Sequence, residues 1–248
     1  MWASNLPWVR WLSPREGLRE LAQPQNREFL CLQPSGGAIL PSRAWRFALI
    51  SSNRPQGAHQ NLNALENWFC STSFWRRTTE QELLPWILAD VPLGEHLLEV
   101  GAGAGSATSA LWRRAPRVTS LEYDHALVAK LAQQNGRRAS VVQGDAAALP
   151  FANATFSCAL AVLVFHHLKS SALQDRAFAE IHRVLRPGGV FLAMEIPDGW
   201  FHRLIHFRST FTPVPPALLV ARLTNAGFCD IKIDSRSEGF RFQASRQL

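Results

Sequence analysis

Three carboxylates and a run of alternating glycines carry the spacing of a nucleotide-type site. Leu97–Thr108 reads L-L-E-V-G-A-G-A-G-S-A-T, with Glu99 just ahead of Gly101, Gly103 and Gly105. A turn built on those glycines has almost no side chains, so a ligand can lie directly against backbone N–H groups at a helix N-terminus. Glu122 follows 21 positions after Gly101, where a carboxylate can accept both hydroxyls of a ribose. Asp145, in Gln143-Gly144-Asp145-Ala146, can accept from the edge of an adenine while a neighbouring backbone N–H donates to it.

Such groups must stand at the carboxyl ends of parallel strands, at the point where the first strand neighbours two others. Short apolar runs give strands at His96–Val100, Arg117–Glu122, Ser140–Gln143, Phe156–Val164 and Val190–Glu195. Helical spacing falls between them at Ser106–Arg114, His125–Asn135 and Ala172–Leu185. Strand and helix in alternation imply right-handed crossovers and a mostly parallel sheet covered on both faces. Leu218–Ala226 reads as one more helix, stopped by Gly227. Cys229–Asp234 and Phe240–Ala244 then alternate like strands around a short polar loop, so the sheet should end in an antiparallel hairpin. The expected fold class is α/β, a Rossmann-like doubly wound sheet of seven strands. Arg186-Pro187-Gly188-Gly189 reads as the turn between helix and strand.

Upstream, Leu62, Leu65, Trp68, Phe69, then Leu83, Leu84, Trp86 and Ile87 recur at helical spacing. Thr79 and Glu82 resemble a capping box for the second of these helices, which should end near Val91–Gly94. The helices are expected to pack on the sheet, with Trp68, Phe74 and Trp75 as candidates to cover a substrate. Residues 1–60 show no clean period and are interrupted by six prolines. They read as an N-terminal extension, peripheral or poorly ordered, with short helical pieces around Pro14–Gln23 and Ser42–Ile50. Residues 61–248 form the expected catalytic domain, 61–94 being its N-terminal helices.

The 248 residues carry a formal charge of +7, which raises the possibility of a nucleic-acid partner. Seven arginines against three glutamates lie in residues 1–60, whereas 61–248 hold 19 basic and 16 acidic side chains. A near-balanced domain offers no electrostatic footprint for a phosphate backbone. The apolar runs are too short to cross a bilayer and no secretion-type leader opens the chain. Four separated cysteines, Cys31, Cys70, Cys158 and Cys229, form no CxxC pair and read as reduced thiols. A cytoplasmic protein without a membrane span is the expectation.

Spacing separates two nucleotide chemistries. A dinucleotide fingerprint asks for G-x-G-x-x-G/A, but the sixth position from Gly101 is Ser106, and the extra glycine is Gly105. With six ordered motifs, L-L-E-V-G-A-G-A-G, S-L-E-Y-D, G-D-A-A-A-L-P-F, F-H-H-L, L-R-P-G-G-V-F and A-G-F, the chain resembles class I S-adenosylmethionine-dependent methyltransferases. Within them it resembles the methyltransferase type 11, ubiquinone/menaquinone-biosynthesis-like group, over roughly residues 61–248. The resemblance implies that the glycine turn lies under the methionine and ribose, with Glu99 near the methionine amino group. It further implies that Glu122 holds the ribose hydroxyls, Tyr123 lies against the adenine, and Asp145 and the Ala146 N–H read the adenine edge. The backbone near Ala161 would approach the methionine end. Relatives often carry F-D where this chain has Phe156-Ser157, a departure at a position usually structural.

The implied reaction is transfer of an activated methyl group to a small apolar or aromatic molecule at oxygen, carbon or nitrogen, in which the protein mainly orients the acceptor. His166 and His167 are the candidate general bases. Two adjacent histidines without a nearby third ligand do not suggest a metal. Ile196–Pro216, rich in aromatic residues, is the expected substrate lid. The alternatives are a nicotinamide-dependent oxidoreductase, disfavoured by Ser106 and Asp145, and a non-catalytic cofactor-binding protein of the same fold.

Overall fold

The computed structural model describes the strands Val9–Leu12, Glu28–Leu32 and Arg46–Ile50 and residues 64–248 apart from 90, 136–139 and 208. The chain divides into two compact units, Met1–Gln56 and Gly57–Leu248. In the first, β1 (Val9–Leu12), β2 (Glu28–Leu32) and β3 (Arg46–Ile50) form an antiparallel sheet in the order β1-β3-β2. The helix expected over Ser42–Ile50 is therefore, over Arg46–Ile50, a strand paired on both sides. A short segment cannot sustain a helix alone, and pairing with partners distant in sequence decides its state. The helical piece expected over Pro14–Gln23 lies outside the described residues.

In the second unit, α1 (Ala64–Cys70) and α2 (Ser73–Thr78) lead through a wide turn at Thr79–Leu83 into α3 (Leu84–Leu88). The expected capping box is not formed. Thr72 is the N-cap, its hydroxyl accepting from the Trp75 N–H at 3.1 Å. Thr79 is buried inside the continuing helix, in a turn where Leu84 N–H bonds to the Thr79 carbonyl five residues back. Pro85, which has no N–H for the regular ladder, follows at once, and the local widening accommodates it. The helix ends at Leu88, where Ala89 takes φ 43°, three residues before Val91.

The sheet runs β6-β5-β4-β7-β8-β10-β9, built from β4 (His96–Val100), β5 (Arg117–Glu122), β6 (Ser140–Gln143), β7 (Phe156–Val162), β8 (Leu185–Glu195), β9 (Phe228–Arg236) and β10 (Gly239–Arg246). The first five strands pair in parallel and β10 inserts antiparallel between β8 and β9. This is the seven-stranded, mostly parallel sheet with a terminal hairpin that the sequence implies. Crossovers run through α4 (Thr108–Leu111), α5 (His125–Asn135) and α6 (Ser171–Val184). α4 is shorter than the expected Ser106–Arg114, because residues 106 and 107 are spent in the glycine turn and 112–114 form a second turn after the helix. Arg186-Pro187-Gly188-Gly189 lies within β8 as a bulge, where the pairing steps from Phe156↔Leu185 to Cys158↔Val190.

Two side-chain devices fix the frame. Ser157 accepts the His96 N–H at 2.9 Å, and its hydroxyl lies 2.9 Å from the carbonyls of Leu93 and His96, so the departure from F-D joins β7 to the start of β4. Arg246 of β10 donates to the carbonyls of His182, Arg183 and Leu185 at the end of α6. Leu84, Trp86, Ile87 and Leu88 join Leu97, Leu111, Leu160 and Met194 in one buried cluster. The upstream helices thus pack as expected through α3, but Trp68 and Phe74 are exposed and do not. No helix among the described residues is long and apolar enough to cross a membrane.

Candidate active site

At the carboxyl edge of the sheet the glycine turn and two of the three acids meet. Gly101 and Ala102 N–H groups bond to the Leu121 carbonyl at 2.8 and 3.0 Å, and Gly144 N–H bonds to the Glu122 carbonyl at 3.0 Å. The ends of β4, β5 and β6 are thereby tied together. Glu122 Oε2 accepts the Gly103 N–H at 2.8 Å, while Oε1 accepts those of Tyr123 and Asp124 at 2.8 Å. Burial raises the Glu122 pKa, and the three N–H donors oppose that rise. A carboxylate offers about four lone-pair directions, so acceptor capacity remains beyond these bonds.

Gly103 has φ +55° and a Cβ added there would point into open space, whereas one at Gly101 (φ +70°) would lie 2.7 Å from Val164. Glycine at Gly101 is needed for packing and conformation; at Gly103 it keeps the cradle open. Tyr123, whose backbone N–H bonds to Glu122, is 38% exposed. Asp145 is half-buried, with Oδ1 accepting the Ala147 N–H at 2.7 Å, and Ala146 follows in the same turn. Ser106, the residue that breaks the dinucleotide pattern, donates to the Cys70 carbonyl at 3.2 Å and ties α1 to the turn.

Glu99 lies within range of the Glu122 charge. Its carboxyl is buried under the turn, receiving the Thr108 hydroxyl at 3.0 Å and the Ser120 hydroxyl at 2.6 Å. Burial pushes its pKa up to about 7 despite both donors. In this structure it joins β5 to the start of α4. Ala161 is buried near the end of β7, paired with Val100 and Ala193.

Past β7, a single tight turn at Phe165–His167 presents the two adjacent histidines. His166 Nδ1 lies 2.6 Å from Glu195 Oε2, and Glu195 Oε1 accepts the N–H groups of Val164 and Phe165 at 2.9 and 2.7 Å. Both side chains are essentially sealed, at 2% and 0% exposure. The segment after β8 contributes α7 (Trp200–Ile205) and His206, whose ring stacks on Phe211 at 4.6 Å and meets His166 edge-on at 5.1 Å. His206 Nδ1 lies 2.7 Å from the His202 carbonyl and Nε2 lies 3.3 Å from Glu66 Oε1 of α1. Burial holds His206 below the ordinary imidazole range.

Sequence reasoning assigns no role to Glu195 or Glu66, and places His206 only within the expected lid, Ile196–Pro216. Glu195 was accessible to the rule that selected Glu122, since it too is an acid closing a parallel strand. His206 and Glu66 carry no local signal; only the fold brings residues 66, 166 and 206 together.

Residues 98–193 match the family described as "Methyltransferase domain". The match covers 96 of the 248 residues and takes in the glycine turn, Glu122, Asp145 and the two adjacent histidines. A demethylmenaquinone methyltransferase of Thermobifida fusca is 32% identical over 126 residues, which is 49% of this chain and 50% of that protein. A ubiquinone/menaquinone biosynthesis C-methyltransferase of Rubrivivax gelatinosus is 27% identical over 49% and 48% of the two chains. The chain thus spans about half the length of the curated relatives it matches. Among solved structures, the N-methyltransferase NodS of Bradyrhizobium japonicum, in complex with S-adenosyl-L-homocysteine, superposes with a TM-score of 0.58. The identity is 17%, over 74% of this chain and 93% of that one, a likeness of fold.

Proposed function

We propose that the protein transfers a methyl group from S-adenosylmethionine to a small apolar or aromatic acceptor. The observation that carries this reading is the 2.8 Å bond from Gly103 N–H to Glu122 Oε2, which sets a ribose-holding carboxylate against an open glycine cradle. The cofactor supplies a methyl group already activated on a sulfonium, so the chain's task is binding and orientation. Glu122 accepts the ribose hydroxyls, Tyr123 covers the adenine face, and Asp145 with the Ala146 N–H reads its edge. Gly103 keeps the backbone open to the methionine and ribose, while Gly101 and Gly105, whose added Cβ atoms would meet Val164 and Leu131, let the turn pack beneath it. Glu99 stands near the methionine amino group, and Ala161 borders the methionine end.

Where the acceptor arrives protonated, His166 is the base best placed to take the proton. Glu195 fixes its ring by holding Nδ1, which leaves Nε2 for the transfer, with His167 beside it. Segment 196–216 is the lid over the acceptor. Trp200 is 79% exposed, and Phe201, Leu204 and Phe207 are exposed with it, an apolar surface suited to an apolar ligand.

Saturation with S-adenosylmethionine or S-adenosylhomocysteine, at about 100 times Kd, should stabilise the fold by about 2.7 kcal/mol. For a domain of this size that raises Tm by roughly 5–10 °C. Glu122→Ala should abolish the shift while keeping the far-UV circular dichroism of the wild type. An unshifted wild type would sink the proposal. Cofactor binding without labelled-methyl transfer to any acceptor in a cell extract would favour the non-catalytic reading instead.

A further inference from the structure

The three histidines at the acceptor end form a group that methyl transfer does not require. His166, His167 and His206 each bring one ring nitrogen to within 4.8 Å of the other two. Two of the rings are oriented from behind in the manner of metal ligands, which hold one nitrogen toward a carboxylate or a backbone carbonyl so that the other keeps its lone pair. For His166 the rear partner is Glu195, at 2.6 Å; for His206 it is the His202 carbonyl, at 2.7 Å. A carboxylate already stands on the open side, since Glu66 Oε1 lies 3.3 Å from His206 Nε2.

We propose that His166, His167, His206 and Glu66 bind one divalent transition-metal ion of the zinc type. Three imidazoles and one carboxylate oxygen suit zinc and its first-row neighbours, whereas magnesium and calcium require mostly oxygen donors. Charge agrees with this choice. Glu66 and Glu195 are both buried at the cluster, and two carboxylates with three neutral imidazoles are balanced by one +2 ion, which removes the penalty of burying either sign alone.

Tetrahedral coordination at about 2.0–2.1 Å places ligand nitrogens about 3.3 Å apart, so the three histidine nitrogens must contract by up to about 1.5 Å from their present limit of 4.8 Å, and Glu66, 3.3 Å from His206 Nε2, must follow His206 toward the other two. His206 can supply that movement, because it follows a six-residue helix none of whose side chains is buried. Four protein ligands make a closed, structural site. Its effect is mechanical: the ion pins the segment after β8, through His206, and α1, through Glu66, to the turn after β7. It also occupies the nitrogen that His166 would use as a base, so metal loading and imidazole base catalysis are alternative states of that residue.

The test uses the full chain with any histidine tag removed, stripped by chelator and then titrated with Zn²⁺ or Co²⁺, without methyl acceptor. The expected result is one ion per chain by elemental analysis, a Tm raised by Zn²⁺, and the visible bands of four-coordinate Co²⁺. His206→Ala and His167→Ala should each lose the Co²⁺ spectrum. Glu195→Gln should weaken binding about 10–100-fold, the effect expected of a residue that orients a ligand, and exposed His125→Ala should change nothing. Circular dichroism of each variant, read before metal is added, separates lost ligation from lost fold, and two independent ligand variants guard against one that fails to fold. No stoichiometric binding by the wild type, or binding unchanged in both ligand variants, overturns the proposal. Because the titration needs neither cofactor nor acceptor, its failure leaves the methyl-transfer reading standing.

Discussion

Glu99 shows how one buried group links the site to the stability of the fold. Its pKa rises from an ordinary 4.5 to about 7, with burial the leading cause. A carboxyl raised in the folded state contributes stability that is fully present below pH 4.5 and lost as the pH rises through 7. His96 has the opposite shift, lowered from 6.5 to about 4 by burial and by Arg117 and Arg186. Its contribution is present above pH 6.5 and lost as the pH falls through 4. Denaturant unfolding from pH 4 to 8 should therefore separate two limbs. Glu99→Gln should remove the alkaline limb, moving the stability difference from wild type by roughly 3 kcal/mol in the variant's favour between pH 4 and 8, at about 1.4 kcal/mol per pKa unit. Parallel curves for the two proteins would mean that Glu99 does not titrate in this range. The imidazole proton signals of His96, followed by NMR, should show a midpoint near 4.

Arg246 carries a comparable argument for the helices and strands. One guanidinium nitrogen from the last strand serves the His182, Arg183 and Leu185 carbonyls, the groups a helix leaves unpaired at its C-terminus. Arg246→Ala should cost about 1.5–3 kcal/mol, the range for hydrogen bonds to a charged group, and lower Tm by roughly 3–12 °C. Thermal unfolding measures the loss, and a change under 1 °C would show that water replaces the guanidinium. That contact was invisible in the sequence, as were the links from Glu66 and His206 to the β7 turn, because each joins residues distant along the chain. What was legible rested on local period. β4, β5 and β6 have the bounds that alternation and the acids at their ends imply, and α5 does as well. Prediction failed where a local signal was weak or a tertiary one stronger: at Thr79, absorbed into a continuing helix, and at Arg46–Ile50, recruited into a sheet.

At the level of the whole chain, the candidate site and the core that supports it are internal to one unit. One buried apolar cluster draws on residues between Leu83 and Met194, and Phe165, Phe178, Phe191, Phe228 and Phe242 build a further ring-to-ring core toward the hairpin. Glu122, Asp145, Glu195 and His206 all stand on this frame, and Glu66 reaches it from α1 within the same unit. A compact unit with its own core can fold independently. A fragment spanning residues 57–248 should therefore unfold cooperatively and show the same Tm increase with S-adenosylhomocysteine as the full chain, within about 2 °C. Thermal scans of fragment and full chain at matched ligand saturation make the comparison. A fragment that folds but loses the ligand shift would place part of the cofactor site in residues 1–56, and one that does not fold would give those residues a role in holding the sheet.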